Sequence, residues 1–371
     1  VKRPLLSAPA FDGMNLSDAL VQLYGALPEE ATLEKLEGDA STRSYYRIQV
    51  ARGVPESLIV MRLPADALKS DEGSGDERPT ELPFLNVQRH LSERGVRVPK
   101  LLADHAVHGF LLLEDLGDET FGARLRKNPH ERWEELYGRA VDLLAEMQVR
   151  CEAPDPRCLA YSRSFDRDLL RWELDHFREW GLEANGVSLS RAERALLDDN
   201  FDALVERLLS LPQGFVHRDF QSRNLMWASA KPDELVVIDF QDALLGPSIY
   251  DLVALLCDSY VDLDMSMQRA MIARLARARG RPSDELESAF WLVAAHRKLK
   301  DAGRFVFIDQ VRGNPSFLPH FAQSMRYAGR AMSQIGELQG LASLLRARLP
   351  GFPDAVLQPA AHTGVHASRA L

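Results

Sequence analysis

Three oxygen-bearing side chains stand close together in residues 215–242, FVHRDFQSRNLMWASAKPDELVVIDFQD. Asp219 follows His217 and Arg218, Asn224 comes five residues later, and Asp239 closes an apolar run. A carboxylate can orient a substrate hydroxyl and accept its proton, while a carboxamide and a second carboxylate can hold Mg²⁺ on the phosphates of ATP. The set suits phosphoryl transfer. His-x-Asp alone, or Asp-x4-Asn alone, is a weak signal. His-Arg-Asp, the asparagine after it and an apolar strand ending in Asp-Phe make a strong one together. The structural alternative makes His217 a core histidine, Asp219 a turn residue and Asn224 a cap. A metal-hydrolase reading of His217 and Asp219 lacks a second His/Asp cluster to support it.

These side chains need a frame. Phe215-Val216 and residues 225–227 are short apolar segments, and Pro232-Asp233 is a turn signal. Residues 235–238 are β-branched and apolar, which predicts a buried strand with Asp239 at its end. A hairpin of that kind brings Asn224 and Asp239 together. Upstream, Leu16, Ala19, Leu20, Leu23 and Tyr24 have helical spacing over 15–27, and Pro28 ends it. Residues 44–50 and 57–63 read as strands, preceded by a small-residue turn at 38–42. A helix over 82–95 and strands at 99–104 and 109–114 follow.

Trp133, Leu136, Tyr137, Ala140, Val141, Leu144 and Met147 predict an amphipathic helix over 131–149. Residues 165–182 read as another, and Ser190 with Glu193 forms a capping box that opens a helix to Ser210. Residues 246–251 read as a turn, and 265–279, 284–303 and 316–347 as helices. The basic cluster from His296 to Lys300 reads as a solvated helix face. The acidic, Gly- and Ser-rich residues 66–80 read as a mobile loop, and the residues from 350 as a loose tail.

With 371 residues, 46% of them hydrophobic, the chain can bury a large core and build two lobes. A net charge of −9 argues against nucleic acid or an anionic membrane as main partner, though not against a small anionic ligand. Three cysteines, Cys151, Cys158 and Cys257, make no disulfide framework and point to a reducing, cytoplasmic setting. No apolar run approaches a membrane span, and no signal peptide is read at the start.

HRDFQSRN, VVIDF and GPSIYDL resemble the aminoglycoside-phosphotransferase-like family, a branch of the protein-kinase fold. Together with FLLLEDLGD upstream and AAHRKLKDAGRF downstream, the pattern resembles, within it, the bacterial anomeric kinases of N-acetylmuramate and N-acetylglucosamine in cell-wall recycling. The resemblance covers roughly residues 15–345 and implies an α+β, bilobal fold. A tail (1–14) would precede a small, mainly antiparallel β lobe (15–116), then a larger helical lobe (117–349) and a second tail (350–371).

It implies Asp219 as catalytic base with Arg223 beside the substrate, and Asn224 and Asp239 as Mg²⁺ ligands. Glu114, Asp115 and Leu116 would form the hinge against adenine, and Gly38, Ser41 and Thr42 the loop over the phosphates. His217 and Asp251 would be structural, Asp251 bracing the catalytic loop. Where the family presents a lysine to the α- and β-phosphates, the strand here reads LIVMRL and offers Arg62, a different kind of contact. Its acidic partner would be Glu81 or Glu93. Gln241 follows Asp239-Phe240 where protein kinases carry glycine.

The expected reaction is ATP- and Mg²⁺-dependent phosphorylation of the C1 hydroxyl of an N-acetyl amino sugar by a monomer. Arg171, Glu173, His296, Arg297 and Lys300 are the candidates for the sugar, the cations serving the lactyl carboxylate of muramate. The rivals are a kinase of the same fold for an aminoglycoside, amino alcohol or homoserine, and a pseudokinase binding module.

Overall fold

The computed structural model describes residues 3–4, 16–36, 43–64 and 81–354. The loop at 66–80 and the phosphate-loop candidates Gly38, Ser41 and Thr42 lie outside the described residues. In chain order the elements begin with β1 (Arg3–Pro4), α1 (Leu16–Tyr24), β2 (Thr32–Lys35), β3 (Ser44–Gln49), β4 (Ser57–Arg62), α2 (Pro83–Glu93), β5 (Leu101–His105) and β6 (Phe110–Glu114). Next come α3 (Phe121–Lys127), α4 (Trp133–Arg150), α5 (Arg167–His176), α6 (Arg191–Leu209), β7 (Gln213–Val216), β8 (Leu225–Trp227), β9 (Leu235–Val237) and β10 (Leu244–Pro247). The last are α7 (Tyr250–Leu256), α8 (Met265–Arg279), α9 (Ser283–Arg312), α10 (Phe321–Ser333) and α11 (Gln339–Arg348).

The chain divides into two compact units. The first comprises Val1–Arg124, Asp155–Leu159 and Arg223–Ala243. Its sheet runs β1-β2-β3-β4-β6-β5, antiparallel throughout. Leu16, Ala19 and Leu20 of α1 pack on one face, against Leu33, Ile48, Leu58, Val60, Phe110 and Leu112. Side chains alternate across a strand, so Tyr45, Arg47, Ile59, Met61, Leu111 and Leu113 belong to the other face. The register agrees, with Tyr45, Met61 and Leu111 in one row and Arg47, Ile59 and Leu113 in the next. Helix α1 ends at Gly25, short of Pro28, because this glycine takes φ 81° and its N–H closes onto the Val21 carbonyl.

The β8–β9 hairpin belongs to this unit although it lies a hundred residues downstream of the sheet. Trp227 N–H donates to the Glu119 carbonyl at 2.9 Å, Ser229 N–H to Leu116 at 3.0 Å and Val237 N–H to Arg97 at 2.9 Å. Chain order groups residues 117–349 together, whereas the contacts group the hairpin with the unit that carries the sheet, through backbone bonds to Arg97, Leu116 and Glu119. Gly117 makes the close approach possible. It has φ 87°, and a Cβ there would lie 3.0 Å from Ser229 Cβ.

The second unit holds Leu125–Pro154, Ala160–Ser222 and Leu244–Leu371 and is mainly helical. The capping box opens α6 as expected, with Glu193 N–H on Ser190 Oγ at 3.3 Å and Ser190 N–H on Glu193 Oε2 at 2.9 Å. Helix α5 runs without a break into a π-helical turn, Phe177–Leu182. Gly303 of α9 lets that turn approach, since a Cβ there would meet Phe177 Cα at 2.7 Å. Residues expected as a turn at 246–251 begin as strand β10, paired with β7, and pass into α7. The helix expected over 284–303 continues to Arg312, where Gly313 adopts φ 66° and stops it. The helix expected over 316–347 is interrupted, with Gly336–Leu338 as a short 3₁₀ turn between α10 and α11.

Candidate active site

In the second unit, residues 217–222 form a loop whose backbone is tied to buried carboxylates. Asp251, on the first turn of α7, accepts the His217 N–H at 2.7 Å and the Arg218 N–H at 3.0 Å. Burial pushes the Asp251 carboxyl up, against the two N–H donors and the nearby His217 and Arg297. Asp258, just past α7, accepts the Ser222 N–H at 2.9 Å. His217 is buried, and its Nδ1 accepts the Asp219 N–H at 3.2 Å, so the ring holds the loop from inside.

Arg218 has φ 80°, a conformation that costs a non-glycine residue roughly 1–3 kcal/mol. Four contacts over-determine it. Its N–H is on Asp251, its carbonyl accepts from Arg297 Nη1 at 2.8 Å, its guanidinium reaches Glu173 at 3.2 Å, and it lies 5.6 Å from the Phe165 ring centroid. Glu173 has no exposed surface, so its charge serves Arg218.

The outcome of this bracing is Asp219. Its side chain is 32% exposed, and Oδ1 accepts from Arg297 Nη2 at 3.2 Å. Arg297 is buried and lies over the Tyr250 ring, 4.9 Å from its centroid. The carboxylate therefore keeps one face toward solvent while a desolvated cation fixes the other. Such charge-assisted bonds are stronger than neutral ones.

The basic cluster of α9 does not lie on a solvated face. His296, Arg297, Lys298 and Lys300 are all buried, together with Asp301. Lys298 Nζ donates to Asp301 at 2.7 Å and to Ser259 at 2.5 Å, and Lys300 Nζ lies 3.9 Å from Asp301. Burial alone would raise the Asp301 carboxyl, yet Lys298, Arg297 and Lys300 together hold it down at about 2. Burial pushes His296 below its ordinary value, and its Nε2–H donates to the Leu170 carbonyl at 3.1 Å. Arg171, the remaining sugar candidate, is bound by Asp175, Asp198 and Asp202. Arg171, Glu173 and His296 are thus committed to protein partners, and the structure does not gather the five candidates around one exposed surface.

In the first unit, the hairpin brings Asn224 and Asp239 together, with Asn224 Nδ2 3.4 Å from Asp239 Oδ2. The Asn224 carbonyl accepts the Ile238 N–H at 3.0 Å. Asp239 has φ 64°, and Gln241 Nε2 donates to its Oδ1 at 2.9 Å. Its side chain is 44% exposed, with Arg43 Nη1 3.9 Å away. Arg223 is half-buried. Among the described residues no cluster of three or more His, Cys, Asp or Glu is arranged to hold a metal. An amide and one carboxylate make a hard-oxygen donor pair, which fits Mg²⁺, an ion that keeps waters and shares itself with substrate phosphates.

The hinge side chains are occupied. Glu114 takes Arg97 in two hydrogen bonds of 2.6 and 2.8 Å, and Arg97 also reaches Glu234 at 2.8 Å. That pairing overcomes the effect of burial and lowers the Glu114 carboxyl. Asp115 takes Arg47 at 2.7 and 3.0 Å. Leu116 packs with Ala228 and Val236, joined by Met226 and Ile238, in a small apolar cluster. Glu81 binds Arg89 and Asn86, and Glu93 faces Arg157. Arg62, exposed at the end of β4, shares the strand parity of Leu58 and Val60, the face that α1 covers.

Sequence reasoning missed Asp258, Asp301 and Arg43, and it assigned Arg297 to the sugar. Asp258 carried a signal, since it is a carboxylate directly after the apolar run 252–257, whereas Asp301 stands beside the basic run 296–300 and carried no such signal.

The second unit holds a loop braced on buried carboxylates, and the first holds a hairpin with an Asn/Asp pair beside an antiparallel sheet. Residues 32–291 match the phosphotransferase enzyme family, and the chain belongs to it. It transfers a phosphoryl group to an alcohol acceptor. It is similar to the N-acetylmuramate/N-acetylglucosamine kinase of Pseudomonas aeruginosa, with 34% identity across 90% of this chain and 92% of that protein. The protein of the same name from Neisseria meningitidis is 32% identical, over 83% of this chain and 87% of that one. Among solved structures, APH(2")-IIa bound to gentamicin superposes with TM-score 0.56 and 14% identity over 86% of this chain and 97% of that one. Choline kinase LicA from Streptococcus pneumoniae gives TM-score 0.56 at 13% identity, over 88% and 98%. At that identity these two speak for the fold alone. Among the described residues no helix is long and apolar enough to cross a membrane.

Proposed function

We propose that the chain is an ATP- and Mg²⁺-dependent kinase that phosphorylates the anomeric hydroxyl of N-acetylmuramate and N-acetylglucosamine, acting as a cytoplasmic monomer in cell-wall recycling. The observation that carries this reading is an intact Asp219, Asn224 and Asp239 set in a chain 34% identical to such a kinase over nine-tenths of its length.

Asp219 has the exposure to meet a substrate hydroxyl and the support to keep its direction. It orients the C1 hydroxyl and accepts its proton as the bond to phosphorus forms. An anomeric hydroxyl is more acidic than an ordinary alcohol, so the transfer of that proton comes late and positioning contributes most of the rate. Arg297 is a positioning residue that fixes the carboxylate rotamer. Asn224 and Asp239 are the residues that would hold Mg²⁺, whose charge offsets that developing on the phosphoryl oxygens. With the side chains of Glu114 and Asp115 committed to Arg97 and Arg47, backbone groups of the hinge are left to read adenine.

The test is ADP release over a panel of sugars, with the product's phosphate located by NMR. Both N-acetyl sugars should react, because they differ at C3, away from C1, and free glucosamine should do poorly once acetamido partners go unpaired. Methyl glycosides, which lack a C1 hydroxyl, should not react at all. Phosphate on C6, or turnover of a methyl glycoside, would sink the anomeric assignment and leave the kinase standing.

A further inference from the structure

Kinases of this general design need a cation on the nucleotide phosphates, and the residue expected for it, Arg62, is on the unsuitable face of its strand. Leu58 and Val60 of β4 pack with α1, and Arg62 shares their parity. The opposite face holds Met61 and Ile59, with Tyr45 and Arg47 beside them in register. Neither Met61 nor Ile59 carries charge, and Arg47 is committed to Asp115 and Asp118, at 2.7 and 2.8 Å.

Arg43 continues the Tyr45–Arg47 alternation just before β3 begins. Its guanidinium lies 3.9 Å from Asp239, and its side chain is 17% exposed. Burial raises the Tyr45 phenol, and the nearby charges of Arg43 and Asp239 act on it in opposite senses. Asp239 in turn touches Asn224 at 3.4 Å. One arginine therefore converges with the two hard-oxygen side chains, with Tyr45 within reach of both charges.

We infer that Arg43 is the phosphate-binding cation of the nucleotide site, replacing the strand lysine in role though not in position. This rests on the kinase reading above. Arg43 balances the Asp239 carboxylate in the unliganded protein. Asn224 and Asp239 would hold the metal of a metal–nucleotide complex, which would leave the guanidinium to pair with phosphate oxygens. A planar fork suits phosphate bidentately, so lysine at this position would be a partial substitute.

Calorimetric titration of wild type, Arg43→Ala, Arg43→Lys and Arg62→Ala with ATP and with adenosine tests this, with Mg²⁺ present. Arg43→Ala should weaken ATP tenfold or more and leave adenosine within twofold, because adenosine lacks the phosphates. Arg43→Lys should recover part of the loss, and Arg62→Ala should match wild type. ATP binding to Arg43→Ala within twofold of wild type overturns the assignment, as does an equal loss for adenosine, which would mean a distorted site. A wild type that binds no ATP removes the kinase reading and this inference together, whereas an unaffected Arg43→Ala beside a wild type that binds removes the inference alone.

Discussion

Asp219 and Asp239 belong to one motif, yet the protein holds them in different ways. The loop of Asp219 hangs on Asp251 and Asp258 through backbone N–H groups, and its carboxylate takes a hydrogen bond from the buried Arg297. Asp239 sits at the end of a three-residue strand, more exposed, with side-chain contacts to Gln241 at 2.9 Å, Asn224 at 3.4 Å and Arg43 at 3.9 Å. On the proposed reading, the proton acceptor would be organised by protein before anything binds, and the cation-binding pair, with looser ties, would be completed by its ligand. This division makes physical sense, because a base works through a fixed direction, whereas Mg²⁺ brings its own octahedral geometry.

The largest break in that comparison is Asp219→Asn. The amide keeps the shape and the contact with Arg297 but cannot take a proton, so kcat should fall roughly 10²–10⁴-fold, with the Kd for ATP nearly unchanged. A variant retaining a tenth of the wild-type rate would remove Asp219 from the role of base.

Next in size is Asp301→Asn, which attacks the support and leaves the reacting atoms alone. Removing one member of a buried charge cluster typically costs about 3–5 kcal/mol, and here Lys298 and Arg297 would be left with less compensation. The pH dependence carries a definite sign. The folded-state value of Asp301 is about 2 against an ordinary 3.8, so its stabilisation is present above the ordinary value and lost as pH falls from there toward about 2. Urea midpoints should therefore show the widest gap between wild type and variant near neutrality, narrowing across that acid window. A gap that stays constant through the window would mean that ionisation of Asp301 does not stabilise the fold.

Smaller again is Arg297→Lys, which keeps the buried charge and loses the two-pronged contact with Arg218 and Asp219. Roughly a tenfold loss in kcat, about 1.4 kcal/mol, with the KM for ATP unchanged, would mark a positioning residue. Loss of stability with kcat preserved would reduce Arg297 to a core cation.

Much of this arrangement was legible before any coordinates. The β8–β9 hairpin followed from a β-branched run, a Pro-Asp turn and an apolar partner strand, all local signals. The Ser190 capping box and the α4 stripe were read in the same way. What escaped was the set of contacts between distant residues. Arg297 meets Asp219 from 78 positions away and Arg218 meets Glu173 from 45. A basic run such as 296–300 looks solvated until the carboxylates that neutralise it are known. The face of Arg62 was undecidable for a related reason, since both faces of β4 are apolar and only the position of α1 separates them.

The smallest expected effect probes the looser half directly. As the proposed neutral ligand, Asn224 would lose its oxygen donor in Asn224→Ala without any change in the charge that Asp239 supplies. Water can take the vacated position, because Mg²⁺ ordinarily keeps several waters. The Mg²⁺ concentration at half-maximal rate should rise by roughly threefold to tenfold, about 1 kcal/mol, while the rate at saturating Mg²⁺ stays near wild type. The hairpin should tolerate the change, since the Asn224 link to β9 is its backbone carbonyl on Ile238 N–H, which alanine retains. If the Mg²⁺ dependence did not move, Asn224 would be a hairpin residue and the metal would rest on Asp239 alone. If instead the rate collapsed as it should for Asp219→Asn, the hairpin would be as tightly preorganised as the catalytic loop, and the contrast between the two regions would fail.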